Sequence, residues 1–280
     1  MPELPEVETV CQGLKKPLNG AVVKELILRR PDLRTPFPEG LKDTVEGQTI
    51  RRINRRAKYI LIEMTENVTL ILHLGMSGRI TVLDDKPDEY GKHDHFVLVT
   101  EDNRYMIFND ARRFGMVGLC ETPSVDKHKF FVHLGADPLS NDFSPAYLDE
   151  KLRGKKVAIK NALLNQKIVT GIGNIYASEA LYESNIDPTR PAGELNKGEI
   201  NRLVGAIRLV LDKAIRAGGS TLRDYIQTTG EMGYFQNQWS VYNKRGQACP
   251  DCTCDVIMTG GIQKIKQGGR STFYCPTRQN

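Results

Sequence analysis

A chain of 280 residues exceeds a typical domain of about 100 to 200 residues and implies two domains; 40% hydrophobic and 26% charged residues, with 25 Gly and 14 Pro, exclude collagen, coiled coil and long disorder. The net charge of +5 is unevenly placed: residues 1–150 carry 20 Lys+Arg against 24 Asp+Glu, net −4, whereas residues 151–280 carry 19 against 10, net +9, an electrostatic handle for a polyanion. The longest apolar stretch, residues 68–76, is far below the roughly 18 residues of a membrane span, and the acidic, Pro-punctuated start lacks the basic patch and apolar run of a secretory signal, so a cytoplasmic protein with reduced thiols is expected.

At the N-terminus Leu4, Val7, Val10, Cys11 and Leu14 recur with helical spacing and predict a helix over about 3–16, buried on one side. Pro5 falls in its first turn, where no backbone donor is needed, and Glu3, Glu6 and Glu8 suit the positive end of the dipole. Short β-rich runs follow at 58–64, 68–75, 79–83, 96–100, 104–108 and 116–121, separated by turn signals at Glu66-Asn67, Ser77-Gly78 and Asp102-Asn103. Their spacing predicts an antiparallel sandwich or barrel. Residues 135–142 read as a linker, and short helices are expected at 144–153, 158–164 and 174–184. Ile200, Leu203, Val204, Ile207, Val210, Leu211, Ala214 and Ile215 form a 3.6-residue stripe closed by Gly218-Gly219. The tail from about Gly246, with a Gly268-Gly269 turn, predicts a small β-hairpin knuckle.

Removal of Met1 would expose the secondary amine of Pro2; α-amines titrate near pH 8, so a useful fraction is unprotonated at neutral pH and able to attack an aldehyde-level carbon. Beside it, Glu3 suits either a general acid or a first-turn dipole partner. Thr170-Gly171-Ile172-Gly173-Asn174 precedes a predicted helix, whose N-terminal N–H groups suit a phosphate. His93 and His95 bracket Asp94 without a nearby third ligand, which favours hydrogen bonding over metal ligation. Cys11 and Cys120 read as core residues, while Cys249, Cys252, Cys254 and Cys275 cluster as metal ligands do in a reducing compartment.

The opening Met1-Pro2-Glu3-Leu4-Pro5-Glu6-Val7-Glu8-Thr9-Val10 resembles the start of the bacterial formamidopyrimidine-DNA glycosylase (Fpg/MutM) family. The resemblance continues through Arg55-Arg56-Ala57-Lys58-Tyr59, His73-Leu74-Gly75-Met76-Ser77-Gly78, Lys92-His93-Asp94-His95, Asp110-Ala111-Arg112-Arg113-Phe114-Gly115 and His133-Leu134-Gly135. It extends over residues 170–179, Gly218-Gly219-Ser220-Thr221 and residues 269–276, in the family's order along the whole chain.

The resemblance implies a bifunctional glycosylase and AP lyase that removes oxidised purines, 8-oxoguanine and formamidopyrimidines, from damaged double-stranded DNA and nicks the strand by β/δ-elimination. It implies an α+β fold: an N-terminal helix with an antiparallel β-sandwich (1–134), a linker (135–150), a helical helix-two-turn-helix domain (151–245) and a C-terminal zinc-finger-like β-hairpin (246–280), with DNA in the cleft. By motif match Pro2 is the Schiff-base nucleophile, Glu3 handles protons at the sugar and Lys58 assists β-elimination. Met76, Arg112 and Phe114 match the wedge that fills the space of a flipped base, and His93, Arg112, Lys155, Asn174 and the catalytic-site residue Arg270 match contacts to the DNA backbone. The loop from Gly218 matches one that closes over the flipped base. No obligate protein partner is implied, so the expected enzyme is a cytoplasmic, nucleoid-associated monomer.

In the Cys cluster the chain departs from the family. One structural zinc needs two close thiolate pairs; Cys249-Pro250-Asp251-Cys252 supplies the first, but Arg278 stands where the second pair should end, leaving Cys275 single. Two outcomes stay open: Cys249, Cys252, Cys254 and Cys275 form a four-thiolate site, or zinc is weakly held or absent. The same scaffold also serves a sister specificity for oxidised pyrimidines and, in principle, a non-catalytic DNA-binding protein. The wedge set and the Pro-Glu-Leu-Pro start favour the purine enzyme.

Overall fold

The computed structural model describes residues 1–220, 233–252 and 255–279. Two units organise the chain: residues 1–132 with 215–236, and residues 133–214 with 237–280.

In the first unit, helix α1 (Leu4–Leu18) starts with a capping box in which the Glu6 carboxylate accepts from the Glu3 N–H at 2.8 Å. Its stripe of Val7, Val10, Cys11, Leu14 and Leu18 is fully covered. The strands β1 (Val23–Leu28), β2 (Ile50–Arg56), β3 (Tyr59–Met64), β4 (Val68–His73), β5 (Arg79–Leu83), β6 (Asp94–Thr100), β7 (Tyr105–Asn109) and β8 (Met116–Glu121) form two antiparallel sheets of order β1-β6-β7-β5 and β2-β3-β4-β8. Ile53, Ile60, Leu70 and Leu72 from one sheet meet Leu26, Phe96, Leu98 and Phe108 from the other, and α1 packs into the same core. Each such side chain contributes about 1.5–3 kcal/mol on burial. Central strand β6 is covered on both faces, because Val97 and Val99 join Ile107 in a second cluster; that is why residues 96–99 are continuously apolar. Two strands escape the sequence reading, β1 and β2, both of which carry a β-bulge.

The second unit holds α3 (Pro145–Leu152), α4 (Ile159–Leu163), α5 (Asn174–Glu183), most of α6 (Lys197–Arg216) and the hairpin β9 (Gln263–Gln267) with β10 (Arg270–Tyr274); a short α2 (Leu41–Val45) belongs to the first unit and α7 (Val256–Thr259) to the second. Ser144 caps α3 by accepting from the Tyr147 N–H, and Asn196 with Glu199 forms a capping box on α6. The α6 stripe is buried from Ile200 to Ala214. Residues 135–136 are tied into this unit by the Gly135 N–H on the Gln166 carbonyl and a parallel bridge of Ala136 with Val169. Gly268 and Gly269, at φ +54° and +78°, make the tight hairpin turn that only glycine enters without strain. This is the α+β class expected from the sequence, helix, two antiparallel sheets, helical domain and terminal hairpin. Among the described residues no helix is long and apolar enough to cross a membrane.

Candidate active site

Pro2 and Glu3 are buried, Glu3 to 3% exposure, at the N-terminal end of α1, whereas Met1 is exposed. The capping box therefore fixes the backbone that carries the α-amine of a trimmed chain. Glu6 does a second job: its other oxygen, Oε1, accepts from the Ser220 N–H at 2.8 Å. Gly219 approaches so closely that a Cβ there would lie 3.1 Å from that oxygen, and its φ of +78° also requires glycine. Ser220 bridges to Tyr234, and the Phe235 N–H donates to the Gly219 carbonyl at 3.1 Å, so the segment leaving Gly219 and returning at Gly233 is pinched at its base beside the start of α1. Thr221 and residues up to 232, where the loop over a flipped base was expected, lie outside the described residues.

Lys58 occupies the two-residue turn between β2 and β3 and is 7% exposed, in contrast to a solvated lysine of a basic run. Arg55 braces that turn: Nε meets Glu8 Oε2 of α1 at 2.9 Å, and Nη1 donates to the Ala57 carbonyl. The preceding Ala57 has φ +53°, a strained conformation for a side chain with a Cβ. His73, at the end of β4, is held near pH 4 by burial, with the charges of Lys58 and Arg34 adding to the effect. Its Nδ1 accepts from the Gly75 N–H at 3.0 Å and its ring lies 4.7 Å from that of Tyr59. The ring is thus neutral at physiological pH, with any proton on Nε2. Sequence reasoning quoted His73 only as part of a motif; its proximity to Lys58 comes from strand pairing, Tyr59 lying opposite His73.

Met76 is half-buried, Arg112 exposed and Phe114 41% exposed; the Arg112 guanidinium sits over the Phe114 ring at 5.1 Å from its centroid. An exposed aromatic beside an arginine on a turn is unusual for a core residue and fits a surface that meets stacked bases. The turns carrying Met76 and Phe114 lie against each other, since a Cβ on Gly75 would fall 2.3 Å from the Phe114 carbonyl carbon. His93 is half-buried with its ring 6.0 Å from that of His95. The hydrogen-bonding reading fits His95, whose Nε2–H donates to the Asp110 carbonyl, and Asp94 between the two rings accepts from Asn109 and Gly91.

In the second unit, Asn174 opens α5 after the Gly-Ile-Gly turn. Its Nδ2 donates to the Ser271 carbonyl at 2.9 Å and to the Tyr242 hydroxyl at 3.2 Å, placing it beside the hairpin that presents exposed Arg270. The sequence reading missed the residue that organises this corner. Lys160, at 0% exposure, donates to Asn174 Oδ1 (2.6 Å), Thr272 Oγ1 (2.7 Å) and the Ser271 carbonyl (2.9 Å). A lone lysine in the apolar run 158–163 was its only signal. Lys155 lies half-buried in the turn after α3, its backbone bonded to Leu152 and Gly193. Buried Glu179 also serves this corner by accepting from the Ser240, Val241 and Tyr242 N–H groups; burial raises its carboxyl, and those bonds oppose the rise.

Cys249, Cys252 and Cys275 converge, their sulfurs all within 4.8 Å of one another. The Cys252–Cys275 separation of 3.6 Å suits two thiolates on one tetrahedral ion with Zn–S near about 2.3 Å, while Cys249–Cys252 at 2.8 Å is tighter. Cys254 lies outside the described residues. Arg278 faces elsewhere: its guanidinium lies 4.5 Å from the Tyr182 ring centroid, donates to Asn185 Oδ1 at 2.6 Å and pairs with Asp251 at 3.2 Å. Three donors thus fit a metal, and the fourth family position is used for an ion pair. Cys11 belongs to the core as expected, with burial pushing its thiol up to about 12.

Comparison with known proteins places these features in context. Residues 1–117 match the model of the formamidopyrimidine-DNA glycosylase N-terminal domain, and residues 134–226 that of the formamidopyrimidine-DNA glycosylase H2TH domain. The formamidopyrimidine-DNA glycosylases of Dinoroseobacter shibae and Rhodospirillum rubrum are each 47% identical, with 100% of both chains covered. Among solved structures, a Lactococcus lactis Fpg variant in complex with Fapy-dG-containing DNA superposes with a TM-score of 0.90 at 36% identity over 100% of both chains. The Lactococcus lactis Fpg complex with abasic-site DNA gives 0.89 at 35% over 99% of both.

Proposed function

The chain belongs to the formamidopyrimidine-DNA glycosylase family, and from that premise we propose that it excises oxidised purines from duplex DNA and cuts the strand at the abasic site it makes. The observation that carries the reading is the placement of Pro2: a buried imino acid directly ahead of a capped helix, with Glu3 beside it. In this reading the Pro2 nitrogen attacks C1′ of the damaged nucleotide, the glycosidic electron pair leaves with the base, and the sugar is held as an iminium. Glu3 moves protons at the opening sugar. Lys58, kept out of solvent next to neutral His73, assists removal of the C2′ proton and loss of the 3′ phosphate. That is the β-elimination; δ-elimination with loss of the 5′ phosphate follows, and hydrolysis of the iminium frees Pro2.

Met76, Arg112 and Phe114 are assigned to the wedge, supported by their shared surface and exposure. His93, Arg112, Lys155, Asn174 and Arg270 are assigned to backbone phosphates; the position of Asn174 at the start of α5 and the exposed position of Arg270 support the last two. We assign catalysis to residues 1–134 and DNA docking to 151–245 and 246–280. One structural zinc is assigned to Cys249, Cys252 and Cys275, with Cys254 as the remaining thiol; its contribution would be to brace the hairpin, with no part in the chemistry. The enzyme would act as a monomer in the bacterial cytoplasm, on nucleoid DNA.

Borohydride trapping on a duplex with one 8-oxoguanine opposite cytosine tests this. The Met-trimmed chain should give a covalent adduct that maps to Pro2, and Pro2→Gly should keep duplex affinity while losing excision. An adduct only on an oxidised pyrimidine would assign the sister specificity, and no adduct on either lesion would assign a binding protein.

A further inference from the structure

The three wedge residues come from two separate strand connections, 74–78 after β4 and 110–115 after β7, and one carboxylate joins them. Asp110 has 0% exposure. Its Oδ1 accepts from the Ser77 hydroxyl at 2.6 Å, and its Oδ2 accepts from the Gly115 N–H at 2.7 Å. Ser77 Oγ in turn accepts from the Arg112 N–H at 3.0 Å. The Asp110 backbone is itself fixed, its N–H donating to the His93 carbonyl at 2.9 Å and its carbonyl accepting from His95 at 3.0 Å. Glycines at 75 and 115 allow this approach: a Cβ at Gly115 would fall 2.9 Å from Asp110 Oδ2, and one at Gly75 would fall into the Phe114 carbonyl.

Each carboxylate oxygen thus holds one loop, and the Ser77 hydroxyl closes a chain from the Met76 turn to the Arg112 backbone. A side chain without exposure does not reach DNA, so the effect of this group runs through the residues it holds. Replacing a paired base in the stack needs several side chains in register, since a partly filled gap leaves the unstacking uncompensated. Loops ordered beforehand avoid losing conformational freedom at that step.

We infer that Asp110 is a positioning residue for base extrusion, its carboxylate fixing the Met76 loop and the Arg112–Phe114 loop as one rigid wedge. The inference rests on the wedge assignment above, and the experiment separates the two. Single-turnover excision of 8-oxoguanine from a duplex is compared with nicking of a preformed abasic site in single-stranded DNA, which needs no base extruded from a pair. Asp110→Asn keeps one acceptor oxygen and turns an NH₂ toward either the Ser77 hydroxyl or the Gly115 N–H. Its duplex excision rate constant should fall at least about tenfold, with half-saturating DNA within about threefold and single-strand nicking within about twofold. Ser77→Ala removes only the hydroxyl and should show the same split at about three- to tenfold; it carries the test if Asp110→Asn does not fold. Equal loss on both substrates, or no loss on either, would overturn the inference. Phe114→Ala runs alongside: if it extrudes bases at the wild-type rate, measured by fluorescence of a 2-aminopurine beside the lesion, the wedge assignment fails and this inference with it. If it is impaired while both clamp variants are normal, the clamp alone is refuted.

Discussion

Replacing Lys160 by Met tests how much of the second unit depends on a single buried ammonium. Methionine has similar length and no charge, so the change removes three hydrogen bonds without opening a large cavity. The Ser271 carbonyl keeps a donor, because Asn174 Nδ2 also reaches it at 2.9 Å. Asn174 Oδ1 and Thr272 Oγ1 lose theirs, and each buried acceptor left without a donor costs about 1–3 kcal/mol. The sum is about 2–6 kcal/mol, lessened by the desolvation that the ammonium no longer incurs. The assay is urea unfolding followed by fluorescence of Trp239, the single tryptophan, which is 7% exposed and lies in the same unit. Duplex affinity should fall with stability, by about tenfold, because only the Asn174–Ser271 bond is left to hold Asn174 to the strand that starts at Arg270. A midpoint within about 0.5 kcal/mol of wild type, with unchanged affinity, would refute the reasoning.

The pH dependence carries a second prediction. An unfolded histidine titrates near 6.5 and His73 near 4, so the unfolded chain takes up the proton first as pH falls through that window. The stability from a neutral His73 is therefore complete above about pH 6.5 and lost by about pH 4, an effect of about 2–3 kcal/mol after allowance for its partly exposed ring. Wild type minus His73→Phe, in denaturant midpoints between pH 7.5 and 4.5, should show that loss; parallel pH profiles would contradict it. A third concerns the thiolate site: chelation should release about one zinc per chain yet lower duplex affinity less than about tenfold. The segment keeps the Arg278–Asp251 pair and the Gln279 side chain, which accepts from the Cys275 N–H and donates to the Ile186 carbonyl. Dye-based zinc release with parallel binding curves measures both, and abolished binding would show that these bonds do not suffice.

Helix α1 and the α6 stripe were legible because their buried positions follow one helical period, and six of the strands because each is a short apolar run between turn signals. Strands β1 and β2 were not, and the reason is geometric. In each a bulge inserts a residue between the buried pair, so Val23 and Leu26, and Ile50 and Ile53, stand three apart where an unbroken strand would bury every second residue. Charged residues at 24, 25, 51 and 52 fill the gaps and read as a solvated run. At the site, motif identity carried the reading of Pro2, Glu3 and Lys58, since periodicity says nothing about a terminal amine or a turn lysine. Lys160 and Asp110 stayed hidden for another reason: their partners lie up to 112 and 33 residues away, and only the fold brings them together.

The pinched neck at Ser220 and Tyr234 fixes where the chain leaves this part of the first unit and where it returns. Both anchor points are held by backbone groups and by Glu6, so a replacement segment inherits its exit geometry whatever its composition. Closure entropy grows slowly, by about 0.6 kcal/mol for each doubling of length. A change of length between the two anchors therefore costs little in closure entropy and leaves the amine two residues ahead of α1 undisturbed.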